Sequence, residues 1–289
     1  MIFDATNRDL LNKKLAELEN RFQADVVFYL GHIHAGIVRP FRDLIEDLKK
    51  DATPKNKLVI ILNTPGGQAE VVEKLVDIIR KHYTEVNFVI PDFAMSAGTI
   101  FCMSGDNIFM DYSSSLGPID PQVWNGQQWV PALGYLDKVE TLLQKERDGK
   151  LTKAEFLILQ SQDLAMLSRC EQAKELTITL LKKWLVEYKF KDWHTHGTTP
   201  EKLGKPVTKE EKEARAQEIA DLLGNNRKWH SHGRMIGIET LRRELKLKIE
   251  DFGDDGTSQP LIRSYNDLLT EYVARNNYPS FLHSRKFFF

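Results

Sequence analysis

Two short apolar runs, each closed by a small-residue turn, follow one another between Leu58 and Ser96, and no other feature restricts the fold as much. The first, Leu58 to Leu62, stops at Asn63-Thr64-Pro65-Gly66-Gly67, and the second, Val86 to Ile90, is followed by the turn Phe93 to Ser96. An unbroken apolar run of this length is expected of a parallel strand covered on both faces. After each turn the period changes. Val71, Val72, Leu75, Ile78 and Ile79 recur at helical spacing, and Ala97 to Met103 is short, small and apolar, a buried helix that begins at the serine. Strand, turn and helix, twice over, predict a parallel α/β sheet with right-handed crossovers and both turns at one sheet edge.

The flanking sequence extends this pattern. Leu10, Leu11, Leu15, Leu18 and Phe22 mark an amphipathic helix from Thr6 to Phe22; Asp25 to Leu30 reads as a strand closed by Gly31, and Val38 to Leu48 as a helix. Asn107 to Met110 is a further strand, and Ser113 to Trp129, with Gly117-Pro118 and Asp120-Pro121, reads as a surface loop. Beyond Pro131 the chain looks almost wholly helical. Thr152 and Glu155 form a capping box before a helical run to about Tyr188, long enough that it should break or pack on a partner, and Thr208 and Glu211 form a second box. The expected division is an α/β core over residues 1–130 and a helical extension over 131–289, packed on the core or on neighbouring subunits. Phe287 to Phe289 reads as a docking tail or as cover for a core.

Composition removes several classes of function. The 289 residues are 42% hydrophobic and 28% charged, with 40 basic against 41 acidic side chains, so no global field draws the protein to nucleic acid. Cys102 and Cys170 are the sole cysteines, without metal-type spacing, which suits a reducing compartment and packing roles. There is no run of 18 apolar residues and no signal-peptide pattern, so stable membrane insertion is not expected and a cytoplasmic location is. No P-loop is present, and the pairs His194/His196 and His230/His232 lack the carboxylate or cysteine company of a zinc site, so neither metal nor cofactor is expected.

Each of the two turns suggests chemistry, and the glycine turn by itself also reads as a plain strand-to-helix connection. Glycines after a buried strand let the backbone turn tightly with free N–H groups, and a helix N-terminus adds partial positive charge, which suits an anion or oxyanion. Ser96 in Ala94-Met95-Ser96-Ala97-Gly98 would stand exposed at the sheet edge with the next N–H free, the mechanical logic of a nucleophile elbow. Its plainer reading is that Ser96 caps its helix.

Together, ILNTPGG (Ile61–Gly67), FAMSAGT (Phe93–Thr99) and SSLGPIDPQ (Ser114–Gln122) resemble the Clp-protease and crotonase superfamily, and in particular the serine dehydrogenase proteinase family. WHSHGR (Trp229–Arg234), with the residues after it, is similar to that family's C-terminal region. The resemblance implies peptide-bond hydrolysis through Ser96, with N–H groups of Gly66 or Gly67 and of Ala97 holding the oxyanion. Where Clp proteases carry a histidine base, this sequence reads Pro118-Ile119-Asp120-Pro121-Gln122. Related membrane peptidases use a lysine from a later helix, which points to Lys138, 42 residues beyond Ser96. Asp120 remains open as base or orienter, and His230 or His232 could reach Ser96 from a neighbouring subunit. The resemblance further implies a peptide or protein substrate and a homo-oligomer. Two rival readings stay open: a crotonase-type enzyme gripping a CoA thioester, and a catalytically silent scaffold.

Overall fold

The computed structural model describes residues 2–197 and 200–288. Helix α1 (Ile2–Phe22) leads into β1 (Asp25–Gly31), α2 (Val38–Leu48), β2 (Lys57–Asn63), α3 (Ala69–His82), β3 (Glu85–Val89), the two-residue β4 (Phe93–Ala94), α4 (Ala97–Met103) and β5 (Asn107–Met110). Strands β1, β2, β3 and β5 pair in parallel in that order, as their alternation with helices requires. The apolar run of β2 is explained by its two faces. Leu58, Ile60 and Leu62 join one core under α2, α3 and α4, while Val59 and Ile61 join another under α1. Each such side chain, fully removed from water, contributes roughly 1.5–3 kcal/mol.

The remainder comprises β6 (Ser115–Leu116), β7 (Gln122–Trp124), β8 (Trp129–Pro131), α5 (Ala132–Arg147), α6 (Lys153–Gln160), α7 (Leu164–Trp184), α8 (Lys209–Gly224), α9 (Asn226–Trp229), α10 (Ile238–Arg243), β9 (Glu250–Asp251), α11 (Ser258–Arg275), β10 (Ser280–Ser284) and β11 (Phe287–Phe288). Several expectations are corrected here. The part beyond Pro131 is not almost wholly helical: β9 pairs in parallel with β5, and β10 and β11 add antiparallel strands beside β1, completing a seven-stranded sheet. Helix α11 lies with α1 over the sheet's second face, through Ile262, Tyr265 and Leu269. Phe287 and Phe288 are a half-buried strand and not a free tail; Phe289 lies outside the described residues.

The segment Ser113 to Trp129 is a surface loop only in part. Residues 114–120 are buried, and β6 pairs in parallel with β4. The long helical run after Thr152 does break. Both capping boxes are formed, but Asp163 caps a second helix by accepting the Ala165 N–H at 2.8 Å, which ends α6 after eight residues. No side chain of α6 is buried, and Phe156, Leu157 and Ile158 are each more than half exposed. Beyond Trp184 the helix widens into a π-helical turn, Leu185–Lys189. Among the described residues no helix is long and apolar enough to cross a membrane.

Candidate active site

Four separated stretches meet at the C-terminal edge of β2 and β3, and each is held there by its own backbone chemistry. Thr64 donates its N–H to the Phe93 carbonyl at 3.0 Å and accepts the Met95 N–H at 2.9 Å, which lays the glycine turn against the serine turn. Gly98 packs on Thr64 so closely that a Cβ there would come within 2.4 Å of Thr64 Cγ2. Thr99, fully buried, places its hydroxyl 2.8 Å from the Ala94 carbonyl and accepts the Gly117 N–H at 2.9 Å, tying the serine turn to β6. Leu116 and Ile236 then exchange N–H to carbonyl bonds of 3.0 and 2.8 Å, bringing in the segment after Trp229. Asn63 completes the frame, donating to Asp92 at 3.1 Å and to Asn266 at 2.6 Å.

Ser96 sits at φ 52°, ψ −118°, in left-handed space that non-glycine residues seldom occupy. Its side chain makes no capping bond to α4, so the plain helix-cap reading does not hold. Strain of this kind costs on the order of 1–3 kcal/mol and collects at functional sites. Ser96 is half-exposed, while Ala97 and the rest of α4 are buried.

The glycine turn abuts this elbow. A Cβ on Gly66 would lie 2.8 Å from Ser96 Cβ, 2.8 Å from the Met95 carbonyl oxygen and 3.3 Å from the Ala97 nitrogen. The two glycines are not equivalent. Gly66 donates its N–H to Thr64 Oγ1 at 3.1 Å, and its carbonyl accepts the Ile33 N–H at 2.9 Å. In a trans peptide the N–H lies opposite the carbonyl. The Gly67 N–H therefore points away from Ile33, towards the side where β4 and Ser96 lie, and Gly67 is exposed whereas Gly66 is buried.

Asp120 is 2% exposed and accepts two bonds: His232 Nδ1 lies 2.8 Å from Oδ1, and Gln122 Nε2 donates to Oδ2 at 3.0 Å. The sequence offers His232 as a group reaching Ser96 from a neighbouring subunit; in the fold it meets Asp120 within one chain. His230 instead ends α9 in a left-handed conformation, and His196 is buried against Trp193 and Glu211, 3.1 Å away, which are turn and packing roles. Lys138 lies on an exposed face of α5, with no hydrogen bond or ion pair to the described residues. Sequence reasoning missed the pairing of Asp120 with His232 and the part played by Thr64. The signal for the first was present in GPIDP and WHSHG, but nothing in the linear order places these runs side by side.

The family described as ClpP-like SDH-type serine proteinase matches residues 47–211. Two uncharacterized proteins of Methanocaldococcus jannaschii are each 32% identical to this chain, over 142 residues (49% of this chain and 46% of the relative) and over 146 residues (50% and 43%). The chain thus spans just under half the length of these curated relatives. Among solved structures, the 1510-N membrane-bound stomatin-specific protease is similar over 42% of this chain and 62% of its own, with 21% identity and a TM-score of 0.33. The ClpP catalytic domain of Plasmodium falciparum is similar over 35% of this chain and 57% of its own, at 12% identity and a TM-score of 0.29.

Proposed function

The chain belongs to the ClpP-like SDH-type serine proteinase family, and on that premise we propose that it hydrolyses peptide bonds through an acyl-enzyme on Ser96. The observation that carries this reading is the apposition of the two turns, with Gly66 in van der Waals contact with Ser96. A carbonyl carbon attacked by Ser96 Oγ would put its developing oxyanion between the Gly67 and Ala97 N–H groups. Such donors, fixed before the reaction, typically contribute about 10²- to 10³-fold each.

For the base, spacing in the sequence favours Lys138, and the contacts of the folded chain favour His232. A lysine serves as base when burial or a nearby cation makes it readily deprotonated, and Lys138 stands in solvent. His232 has a buried carboxylate, Asp120, on Nδ1 at 2.8 Å. That contact orients the ring, leaves Nε2 to take the serine proton, and stabilises the imidazolium until the proton passes to the leaving amine. Ser96, His232 and Asp120 then act as nucleophile, base and orienter, with no metal or nucleotide in the path. The substrate would be an extended peptide segment.

The test is intact-mass labelling with a fluorophosphonate, followed over time for wild type, Ser96→Ala, His232→Ala, Asp120→Asn and Lys138→Ala. The expected result is an adduct on wild type, none on Ser96→Ala, labelling slowed by about 10²- to 10⁴-fold in His232→Ala, and no change in Lys138→Ala. Loss of labelling in Lys138→Ala alone would return the base to the lysine. An unlabelled wild type that binds CoA would sink the peptidase reading and favour thioester chemistry.

A further inference from the structure

The geometry points to Thr64 as a positioning residue of this site, one that decides which glycine N–H is free to hold the oxyanion. The inference rests on the serine peptidase reading and adds a residue that neither the two turns nor the base accounts for. Thr64 is fully buried and touches both halves of the site in three separate ways. Its backbone bonds to Phe93 and Met95, its methyl packs against Gly98, and its hydroxyl accepts the Gly66 N–H at 3.1 Å.

The third contact has a directional effect. With the Gly66 N–H engaged by Thr64 and the Gly66 carbonyl engaged by Ile33, the peptide planes on both sides of Gly66 are fixed. At φ 108° Gly66 has backbone freedom that most residues lack, so without these two anchors the turn could rotate and present either N–H to the cleft. Thr64 consumes one donor and thereby orients the other. The hydroxyl acts through Gly66, with which it makes its hydrogen bonds. A misplacement of about 1 Å at such a site costs on the order of 10²-fold in turnover.

Two substitutions separate the contacts. Thr64→Val keeps the shape, the methyl and the backbone bonds and removes the hydroxyl, which accepts the Gly66 N–H and lies 3.4 Å from the Gly66 carbonyl oxygen; Thr64→Ser keeps the hydroxyl and removes the methyl. Steady-state peptide hydrolysis and amide hydrogen exchange of glycine-labelled protein are the two measurements. In Thr64→Val the Gly66 amide should exchange at least about tenfold faster, and kcat should fall about 10²-fold with KM within twofold of wild type. In Thr64→Ser the Gly66 amide should stay protected and kcat should remain within a few fold of wild type. If Thr64→Val does not fold, Thr64→Ala against Thr64→Ser gives the same contrast.

Three outcomes overturn the inference: Thr64→Val with undiminished kcat, Thr64→Ser as impaired as Thr64→Val, or a rise in activity when the Gly66 N–H is released. The last would make Gly66 the oxyanion donor. A wild type that neither hydrolyses peptides nor reacts with the fluorophosphonate refutes the peptidase reading itself, and is told apart from failure of Thr64 alone by that inactivity.

Discussion

Replacing Gly66 by alanine tests the contact on which the site depends. The added methyl would lie 2.8 Å from both Ser96 Cβ and the Met95 carbonyl oxygen, and the backbone there has φ 108°. Neither neighbour is the end of a flexible side chain, so relief must come from separation of the two turns. Backbone strain of this type costs about 1–3 kcal/mol, and overpacking a close contact costs about 1–3 kcal/mol more. Together that is roughly 2–6 kcal/mol, or about 3–10 °C in Tm for a domain of this size. Opening the contact to an ordinary 3.5–4 Å separation moves Ser96 relative to Gly67 by about 1 Å, which should lower kcat/KM by on the order of 10²-fold. The assay is peptide hydrolysis and fluorophosphonate labelling at a temperature well below the variant's Tm, with Gly126→Ala as control. Gly126 also has positive φ, but a Cβ there meets nothing within 4 Å. A Gly66→Ala protein that labels as fast as wild type would refute the argument that the two turns form one site.

Other consequences concern stability and assembly. His283 is buried beside Tyr265 and Asn12, and burial pulls its pKa down to about 3. The unfolded chain binds a proton near pH 6.5 that the folded chain refuses, so stability is present above that pH and is lost as pH falls towards 3; between pH 7 and 5 the loss should be about 2 kcal/mol by urea titration, and His283→Gln should flatten it. Arg285 faces Glu19, Asp25 and Asp51, and Asp25 is fully buried. Arg285→Met should cost about 3–5 kcal/mol by stranding that charge, and Asp25→Asn in the same chain should recover part of it, measured by denaturant unfolding. The exposed Phe156, Leu157, Ile158 and Leu164, on α6 and at the start of α7, are large apolar side chains left in solvent, whereas a stable interface buries about 800 Å² on each partner. A second copy of this chain is the proposed occupant; Leu157→Glu should shift sedimentation towards monomer, and an unchanged profile would reject it.

What could be read from the sequence was set by how local the cause is. The turns at Pro65-Gly66-Gly67 and Ser96 were legible because small residues after an apolar run leave few alternatives, and the capping boxes at Thr152 and Thr208 because they are closed within three residues. The burial of residues 114–120 was hidden: Gly117-Pro118 and Asp120-Pro121 read as turns, and only contact with Thr99 and Ile236 shows that the turns are interior. Strands β9, β10 and β11 were missed because two- and five-residue strands carry too little periodicity beside the helices that flank them. Asp120 and His232 are 112 residues apart, and their pairing is a property of the fold alone.

The antiparallel strand β10 has a consequence for synthesis. It covers the open side of β1, and its His283 bonds to Asn12, 271 residues earlier. At about 5–20 residues per second, on the order of ten seconds to a minute separates the emergence of β1 from that of the strand that covers it. During that interval one margin of the sheet is an unpaired template, open to other nascent chains. The emergence of β10 is therefore the step that covers β1, and a ribosome stalled before Ser280 would leave a chain whose Ser96 turn is complete and whose β1 edge is bare.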